Sequence, residues 1–240
     1  MTPRYHHILF DLDGTLLQSE KGIFRAFRHA LSRMELPPAG DSLLRKCIGP
    51  SLSECFKQHF GLNDTDTSLA VQYYREYYSI KGKFENHLYP GIREALQQLA
   101  DGGTHLHLAT SKSTALARDI LEEKGIHAMF GAIQGSSPDT PLAGKADIIA
   151  NVLRDRNLNP ADCLMVGDRE HDILGARAHG MASAGVLYGY GDEQELIGQG
   201  ADYLVDAPDQ LPVLILEDGA PFRTARTNRP SHSTSQMHIS

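Results

Sequence analysis

The chain has 240 residues, of which 41% are hydrophobic and 22% charged. This ordinary globular composition excludes collagen-like, coiled-coil and wholly disordered proteins. The formal charge is −7, from 23 basic and 30 acidic residues, whereas nucleic-acid-binding proteins usually carry the opposite sign. We therefore expect no nucleic-acid polymer as a partner. An acidic protein that acts on anions would have to concentrate positive charge, or a metal ion, at one place.

The length, the apolar runs and the cysteines give expectations about the domain organisation and the location of the protein. A chain of 240 residues is long for one compact domain and short for two, which predicts one domain with an insertion. No apolar run approaches the roughly 18 residues that span a bilayer, so we expect no membrane partner. Cys47, Cys55 and Cys163 form no CxxC pair and cannot all be bridged. Reduced thiols and a cytoplasmic location follow as expectations.

The first part of the chain predicts one strand and then a helical block. A β-compatible segment at 5–10 leads into a polar, glycine-containing turn at 11–15. From 16 to 88 apolar residues recur at helical spacing, and we predict that this whole block is helical. The tyrosines between 73 and 78 are spaced for packing between helices rather than for stacking on an aromatic substrate. The three predicted helices begin at Glu20, after Ser51 and near Thr67.

After residue 88 predicted strands and helices alternate, which indicates βαβ units. The fold class we predict is α/β, a Rossmann-like parallel sheet with helices on both faces. From 219 to 240 the chain is rich in Ser, Thr, Arg and Pro, and we predict a disordered tail. The predicted strands are 104–109, 163–166, 183–187 and 203–205, with a short apolar stretch near 129–133, and the predicted helices are 92–100, 114–124, 143–156, 172–179 and 208–216.

Polar residues follow several predicted strands or begin the helices beside them. Ligands of an open parallel sheet bind beyond the carboxyl ends of its strands, so these residues are candidates for a site. Taken singly, each has a commoner explanation: an Asp-Gly pair is a frequent turn, a Thr or Ser after a strand is an ordinary N-cap, and a lysine is usually solvated. The residues concerned are Asp11, Asp13, Thr110, Ser111, Lys145, Asp168 and Asp172.

Two common phosphate-binding patterns do not fit. Gly144-Lys145 lacks the first glycine and the following Ser or Thr of a P-loop, and the glycines at 189 and 191 lack the third glycine of a dinucleotide-binding turn. Four other segments, in the same chain order, resemble the four motifs of the haloacid dehalogenase-like hydrolase superfamily. They are Phe-Asp-Leu-Asp-Gly-Thr at 10–15, Ala-Thr-Ser-Lys at 109–112, Gly-Lys-Ala-Asp at 144–147 and Val-Gly-Asp-Arg-Glu-His-Asp at 166–172.

The resemblance covers residues 5–216 and implies a division into two parts. Residues 1–15 and 89–218 would form the α/β core, and residues 16–88 would form an inserted α-helical cap. Ile-Gly-Pro-Ser-Leu at 48–52, with matching segments at 89–91 and 187–191, is similar to the phosphoglycolate phosphatase-like and 5′-nucleotidase-like branch of the superfamily. Within that branch the 5′-nucleotidase-like group fits best.

The resemblance also implies a role for each motif. Asp11 would attack the phosphate and form an aspartyl-phosphate, while Asp13 would protonate the leaving group and later activate water. A carboxylate is repelled by a doubly charged phosphate, and Mg²⁺ between them would remove that repulsion. The implied Mg²⁺ ligands are Asp11, the backbone carbonyl of Asp13, Asp168 and Asp172. The implied phosphate-binding groups are Thr110, Lys145 and the main chain near Leu12, Gly14 and Ser111.

The cap would select the substrate, because the strand ends contact only phosphate. Residues 45–52 resemble the substrate-specificity loop of the superfamily, which makes Arg45 and Gly49 candidate substrate-binding residues. Arg45 or Lys46 could meet a second anionic group, as phosphoglycolate carries, or could belong to a solvated helix face.

The expected function is a Mg²⁺-dependent phosphomonoester hydrolase acting on small phosphorylated metabolites, with nucleoside 5′-monophosphates first. Phosphoglycolate, phosphosugars (with a phosphatase or a mutase) and phosphotyrosine remain open as substrates. A non-catalytic phospho-acceptor is the alternative from a different class. A true haloacid dehalogenase needs neither a metal nor a second aspartate, so Asp13 argues against it. A monomer and a homodimer are both compatible with the sequence.

Overall fold

The computed structural model describes residues 3–136, 144–217 and Arg223, and a six-stranded parallel sheet forms its centre. Its strand order is β5-β4-β1-β6-β7-β8, and a separate antiparallel pair joins β2 to β3. The strands are β1 (His7–Phe10), β2 (Leu17–Gln18), β3 (His87–Leu88), β4 (His105–Ser113), β5 (Phe130–Ser136), β6 (Cys163–Gly167), β7 (Ala182–Val186) and β8 (Tyr203–Val205).

Helices cover both faces of the sheet, which confirms the predicted fold class. Side chains of a strand alternate between faces, so Ile8 and Phe10 of β1 pack into one apolar cluster and Leu9 into another. The helices are α1 (Glu20–Arg33), α2 (Asp41–Lys46), α3 (Leu52–Phe60), α4 (Asp64–Tyr78), α5 (Ile92–Asp101), α6 (Thr114–Glu123), α7 (Lys145–Asp155), α8 (Glu170–Ala178), α9 (Glu193–Gly198) and α10 (Gln210–Leu216). Within the described ranges, no helix is long and apolar enough to cross a membrane.

Residues 16–88, which we call the cap segment, have an apolar cluster of their own. Helices α1 to α4 surround it, and Tyr74 and Tyr78 are buried in it, as their helical spacing predicted. The prediction of helix throughout the segment is wrong at both ends, because β2 and β3 pair where the chain enters and leaves it. This cluster supports the division into core and cap, which we keep as a proposal.

Other differences from the predicted elements concern short or irregular pieces. Helices α2 and α9 have six residues each and were not predicted, because so short a helix shows less than two turns of periodicity. Strand β4 continues through the polar residues 110–113, where its pairing with β5 is irregular. Most other element ends agree within a few residues. The predicted tail, 219–240, lies outside the described residues apart from Arg223.

A group of histidines lies at the start of the sheet. His107 of β4 is buried, and its Nε2 atom is 3.2 Å from Nδ1 of His7. The pKa of His107 is lowered to about 4, chiefly by burial and also by repulsion from His7, Arg156 and His105. An unfolded histidine titrates near pH 6.5. Between these two pKa values the unfolded chain therefore binds more protons than the folded one.

We expect the free energy of unfolding to decrease as the pH falls from about 6.5 to about 4, by at most about 3 kcal/mol from His107. Carboxylates also titrate in this range, so the comparison is between variants. Urea unfolding at pH 7, 5.5 and 4.5 should show a smaller decrease for His107→Gln than for the wild type. Equal decreases in the two proteins would contradict a buried neutral His107.

Candidate active site

Four residues from three distant segments of the sequence meet at the carboxyl ends of the central strands. Asp11 directly follows β1 and Asp168 directly follows β6, and these strands are neighbours in the sheet. The backbone N–H of Asp11 donates to the carbonyl of Val166 at 2.9 Å, which continues the pairing beyond β1. Lys145 begins α7 and Asp172 lies in the first turn of α8. The strand order therefore brings three motifs to one place.

The cluster is formed by three carboxylates and one ammonium group, all buried. Carboxylate oxygens of Asp11, Asp168 and Asp172 lie within 4.8 Å of one another. Nζ of Lys145 is 2.7 Å from Oδ1 of Asp11 and 2.8 Å from Oδ1 of Asp172, and it donates to the carbonyl of Ala109 at 2.9 Å. The cluster thus contains one ammonium group for three carboxylates, and this group contacts two of them, Asp11 and Asp172.

The charges of the cluster are unbalanced, and burial disfavours its ionised carboxylates. The pKa of Asp11 is raised to about 6, chiefly by burial and also by Asp172, although Lys145 lowers it. Burial, then Asp172 and Asp11, raise the pKa of Asp168 well above its usual range. Burial alone would lower the pKa of Lys145, but its two carboxylate partners raise it above its ordinary value. A divalent cation would supply the missing positive charge, and carboxylate oxygens are the donors that Mg²⁺ prefers.

The carboxylate of Asp168 is held tightly. It accepts hydrogen bonds from Thr15 Oγ1 at 3.1 Å and from the backbone N–H of Tyr190 at 2.9 Å. Gly14 has φ +89°, and a Cβ atom there would lie 2.1 Å from Oδ2 of Asp168. A Cβ atom at Gly189 would lie 2.3 Å from Cβ of Asp168. A side chain at either glycine would therefore clash with the side chain of Asp168. From the sequence, we expected Gly14 to be needed only for the close approach of phosphate to the main chain.

The side chain of Asp13 lies outside the three-carboxylate group. Its Oδ2 is 2.9 Å from Nζ of Lys112. Its Oδ1 is buried, and no residue that the structure describes gives it a hydrogen bond. Lys112 belongs to the second motif, and no role was predicted for it from the sequence. Its position after Thr110 at the end of a strand was the available signal.

The remaining predicted phosphate-binding groups lie in the turn that follows β1 and in the last part of β4. Thr110 is buried in β4, and its Oγ1 accepts a hydrogen bond from the backbone N–H of Lys112 at 3.3 Å. The carbonyl of Ser111 accepts from Ser136 Oγ at 3.1 Å. Leu12 is fully buried in the turn that follows β1.

The two cap candidates have different surroundings. Arg45 is about half exposed and pairs with Glu20 at 2.8 Å, so the structure does not bring it to the acidic cluster. Gly49 has φ +106°, and a Cβ atom there would lie 3.1 Å from Cγ of Arg169. The guanidinium of Arg169 donates to the carbonyl of Ile48 and pairs with a glutamate of α9. Arg169 follows Asp168 and thus links the site to residues 45–52 of the cap segment. This contact was not predicted from the sequence.

Comparison with known proteins assigns a family. The family model described as haloacid dehalogenase-like hydrolase matches residues 8–186. A 5′-nucleotidase of Pseudomonas aeruginosa is 41% identical over 193 residues, which is 80% of this chain and 87% of that protein. A phosphoglycolate phosphatase of Vibrio vulnificus is 31% identical over 218 residues, covering 87% of this chain and 95% of that one. The crystal structure of a predicted phosphatase from Clostridium acetobutylicum superposes with a TM-score of 0.84 at 39% identity, covering 87% of this chain and 97% of that chain.

The chain belongs to the haloacid dehalogenase-like hydrolase family, as its motifs indicated. Its relatives and the structural match make it a phosphatase of that family. This confirms the expected class of enzyme, a phosphatase.

Proposed function

We propose that the protein is a Mg²⁺-dependent phosphomonoesterase that works through an aspartyl-phosphate on Asp11 and prefers nucleoside 5′-monophosphates. The observation that carries the mechanism is the contact of Asp11 with Lys145, inside a group of buried carboxylates that has too little positive charge. A buried carboxylate that contacts an ammonium group and lies beside a candidate metal site is suited to attack a dianionic phosphate ester.

In the first step an Asp11 oxygen forms a bond to phosphorus while the bond from phosphorus to the ester oxygen breaks. Asp13 gives its proton to the departing alkoxide. In the second step water attacks the same phosphorus, Asp13 takes a proton from that water, and the bond to Asp11 breaks to release inorganic phosphate. Lys145 stays beside Asp11 and reduces the negative charge around the transferred group in both steps.

The groups that would hold Mg²⁺ are Asp11, Asp168, Asp172 and the backbone carbonyl of Asp13. When bound, the ion would neutralise charge on the phosphate and so permit a carboxylate to approach it. Two observations support this assignment. The donors are carboxylate oxygens, and one oxygen from each of the three aspartates lies within 4.8 Å of the other two. Thr110 and the main chain at Leu12, Gly14 and Ser111 are the proposed donors to the phosphoryl oxygens.

The preference for nucleoside 5′-monophosphates rests on similarity to the 5′-nucleotidase. A phosphoglycolate phosphatase is the alternative, supported by the second relative. Recognition of a carboxylate would need a cation near the site, and the surface pairing of Arg45 with Glu20 does not favour Arg45 for that task. Phosphosugars, phosphotyrosine and the phospho-acceptor reading remain further alternatives. A cytoplasmic monomer or homodimer stays a prediction.

Removal of divalent metal is expected to abolish turnover. Excess EDTA should lower phosphate release by at least about 10²-fold, and excess Mg²⁺ should restore it, because the nucleophile and the substrate repel each other without the ion. Asp168→Asn should raise the Mg²⁺ concentration needed for half-maximal activity. Asp155→Asn, on the exposed part of α7, is the control that should need no more Mg²⁺ than the wild type. Undiminished activity in EDTA would contradict the metal assignment.

The substrate is decided by a phosphate-release screen of about a hundred phosphorylated metabolites with Mg²⁺. We expect the highest kcat/KM for a nucleoside 5′-monophosphate. A clear preference for 2-phosphoglycolate would replace the 5′-nucleotidase assignment by its alternative. A phospho-form of Asp11 that lasts for hours, with no phosphate released, would favour the phospho-acceptor.

A further inference from the structure

We propose that Lys112 is a positioning residue for Asp13 and that Tyr78 of the cap segment holds Lys112 in place, so that the cap segment and the proton-transfer group are coupled. The proposal rests on the proposed function, because it needs Asp13 to exchange a proton with the leaving group. It adds two residues to the site, one on β4 and one on α4.

The contacts connect the three side chains directly. Nζ of Lys112 is 2.9 Å from Oδ2 of Asp13 and donates to the hydroxyl of Tyr78 at 2.7 Å. The same ammonium lies 4.4 Å from the centroid of the Tyr78 ring. The side chains of Lys112 and Asp13 are only 7% and 13% exposed, so water screens their attraction weakly.

Each end of this connection is anchored in a different part of the protein. Tyr78 is the last residue of α4 and stacks on Tyr74 inside the apolar cluster of the cap segment. Lys112 lies at the end of β4, two residues beyond Thr110, where its backbone N–H bonds to the threonine side chain. A movement of the cap segment away from the sheet would therefore withdraw Tyr78 from Lys112.

The two carboxylate oxygens of Asp13 are not equivalent. Oδ2 is engaged by Lys112, whereas Oδ1 is buried and has no hydrogen-bonding partner within the described part of the chain. A buried polar atom without a partner costs free energy, and Oδ1 is therefore available to bond a group that enters the site. We infer that Nζ of Lys112 donates to Oδ2 in both protonation states of Asp13, so that Oδ1 is the atom which carries a proton to the ester oxygen and later takes one from the attacking water.

An ion pair that only joins the two parts of the protein would give the same contacts. A second ion pair between the cap segment and the rest of the protein serves as a control for that possibility. Lys83 of the cap segment pairs with Asp119 of α6 at 2.5 Å. This pair also joins the cap segment to the rest of the protein, but it does not include Asp13. Lys83→Met therefore removes a more exposed ion pair between the same two parts of the protein without touching the proposed proton-transfer group.

The test compares two leaving groups with full-length enzyme and Mg²⁺. A nucleoside 5′-monophosphate releases a strongly basic alkoxide that needs a proton, whereas p-nitrophenyl phosphate releases a stable phenolate that does not. For Lys112→Met we expect kcat/KM to fall about 10²-fold with the nucleotide and less than about 5-fold with the aryl ester. Tyr78→Phe should show the same selectivity at about 5-fold, and Lys112→Arg should recover part of the loss. Lys83→Met should change both substrates equally and by less than about 2-fold.

A second measurement keeps the proposal testable if Lys112→Met is less stable. In an Asp13→Asn background the same lysine substitution should cause no further loss with the nucleotide, since the residue that it positions is already gone. Equal losses with both leaving groups, or additive losses in the double variant, would overturn the positioning role while leaving the proposed function intact. A wild type that hydrolyses neither ester would instead contradict the proposed function.

Discussion

Replacement of Asp11 by asparagine is expected to lower kcat by at least about 10³-fold in assays of phosphate release. Asparagine has the same shape but is a poor nucleophile, so no aspartyl-phosphate forms and only binding and electrostatic effects remain. The contact of Asp11 with Lys145 at 2.7 Å shows how the carboxylate is oriented in the cluster. Rapid quench with ³²P-labelled substrate should show label on the wild-type protein and none on the variant.

The same substitution has an expected effect on stability that separates chemistry from misfolding. Burial raises the pKa of Asp11 to about 6, so its ionised form opposes folding above that pH. Asparagine stays neutral, and we expect Tm of the metal-free protein at pH 7.5 to be equal or higher. Asp155→Asn, an exposed position on α7, should change neither activity nor Tm. Turnover within 10-fold of the wild type in Asp11→Asn would exclude Asp11 as the nucleophile.

Replacement of Lys145 by methionine is the second change with a large expected effect. It leaves Asp11 and Asp172 without their shared buried cation. Removing one member of a buried ionic group typically costs about 3 kcal/mol, which for a protein of this size lowers Tm by roughly 6–12 °C. We also expect kcat to fall at least about 10²-fold, because the charge of the transferred phosphoryl group is no longer offset.

Two comparisons show whether the effect is electrostatic. Mg²⁺ should restore part of the lost Tm in Lys145→Met, because a bound cation offsets the same carboxylates. The double variant with Asp11→Asn should be less destabilised than Lys145→Met alone. Arg154→Met removes an exposed cation from the same helix, α7, and should leave Tm within about 2 °C of the wild type. An unchanged Tm for Lys145→Met in EDTA would show that the buried acids do not depend on this lysine.

Local patterns were sufficient for most of the fold. The alternation of strands and helices after residue 88 predicted the parallel sheet, because helical and strand periodicity are visible within ten or so residues. Capping was equally local: Ser51 accepts from the backbone N–H of Glu54, and Gly61 ends α3 in the left-handed conformation. Helices α2 and α9, with six residues each, were too short for this kind of pattern.

Part of the candidate site was also predictable, for a topological reason. The carboxyl ends of parallel strands lie at one edge of the sheet, so Asp11 and Asp168 were expected to be near each other before any contact was known. Lys145 and Asp172 followed from their places at the starts of helices. This topological rule does not predict that Lys145 contacts both Asp11 and Asp172 at 2.7–2.8 Å, or that the buried cluster has an excess of negative charge.

The family, the α/β alternation and the four motifs are visible in the sequence, since each depends on residues that are close together along the chain. Which of their side chains touch depends on how the distant segments pack. Lys112 meets Asp13 and Tyr78, and Arg169 meets the carbonyl of Ile48, because the cap segment packs over the ends of the strands. Such contacts depend on the packing of two parts of the molecule, and no local period encodes that packing.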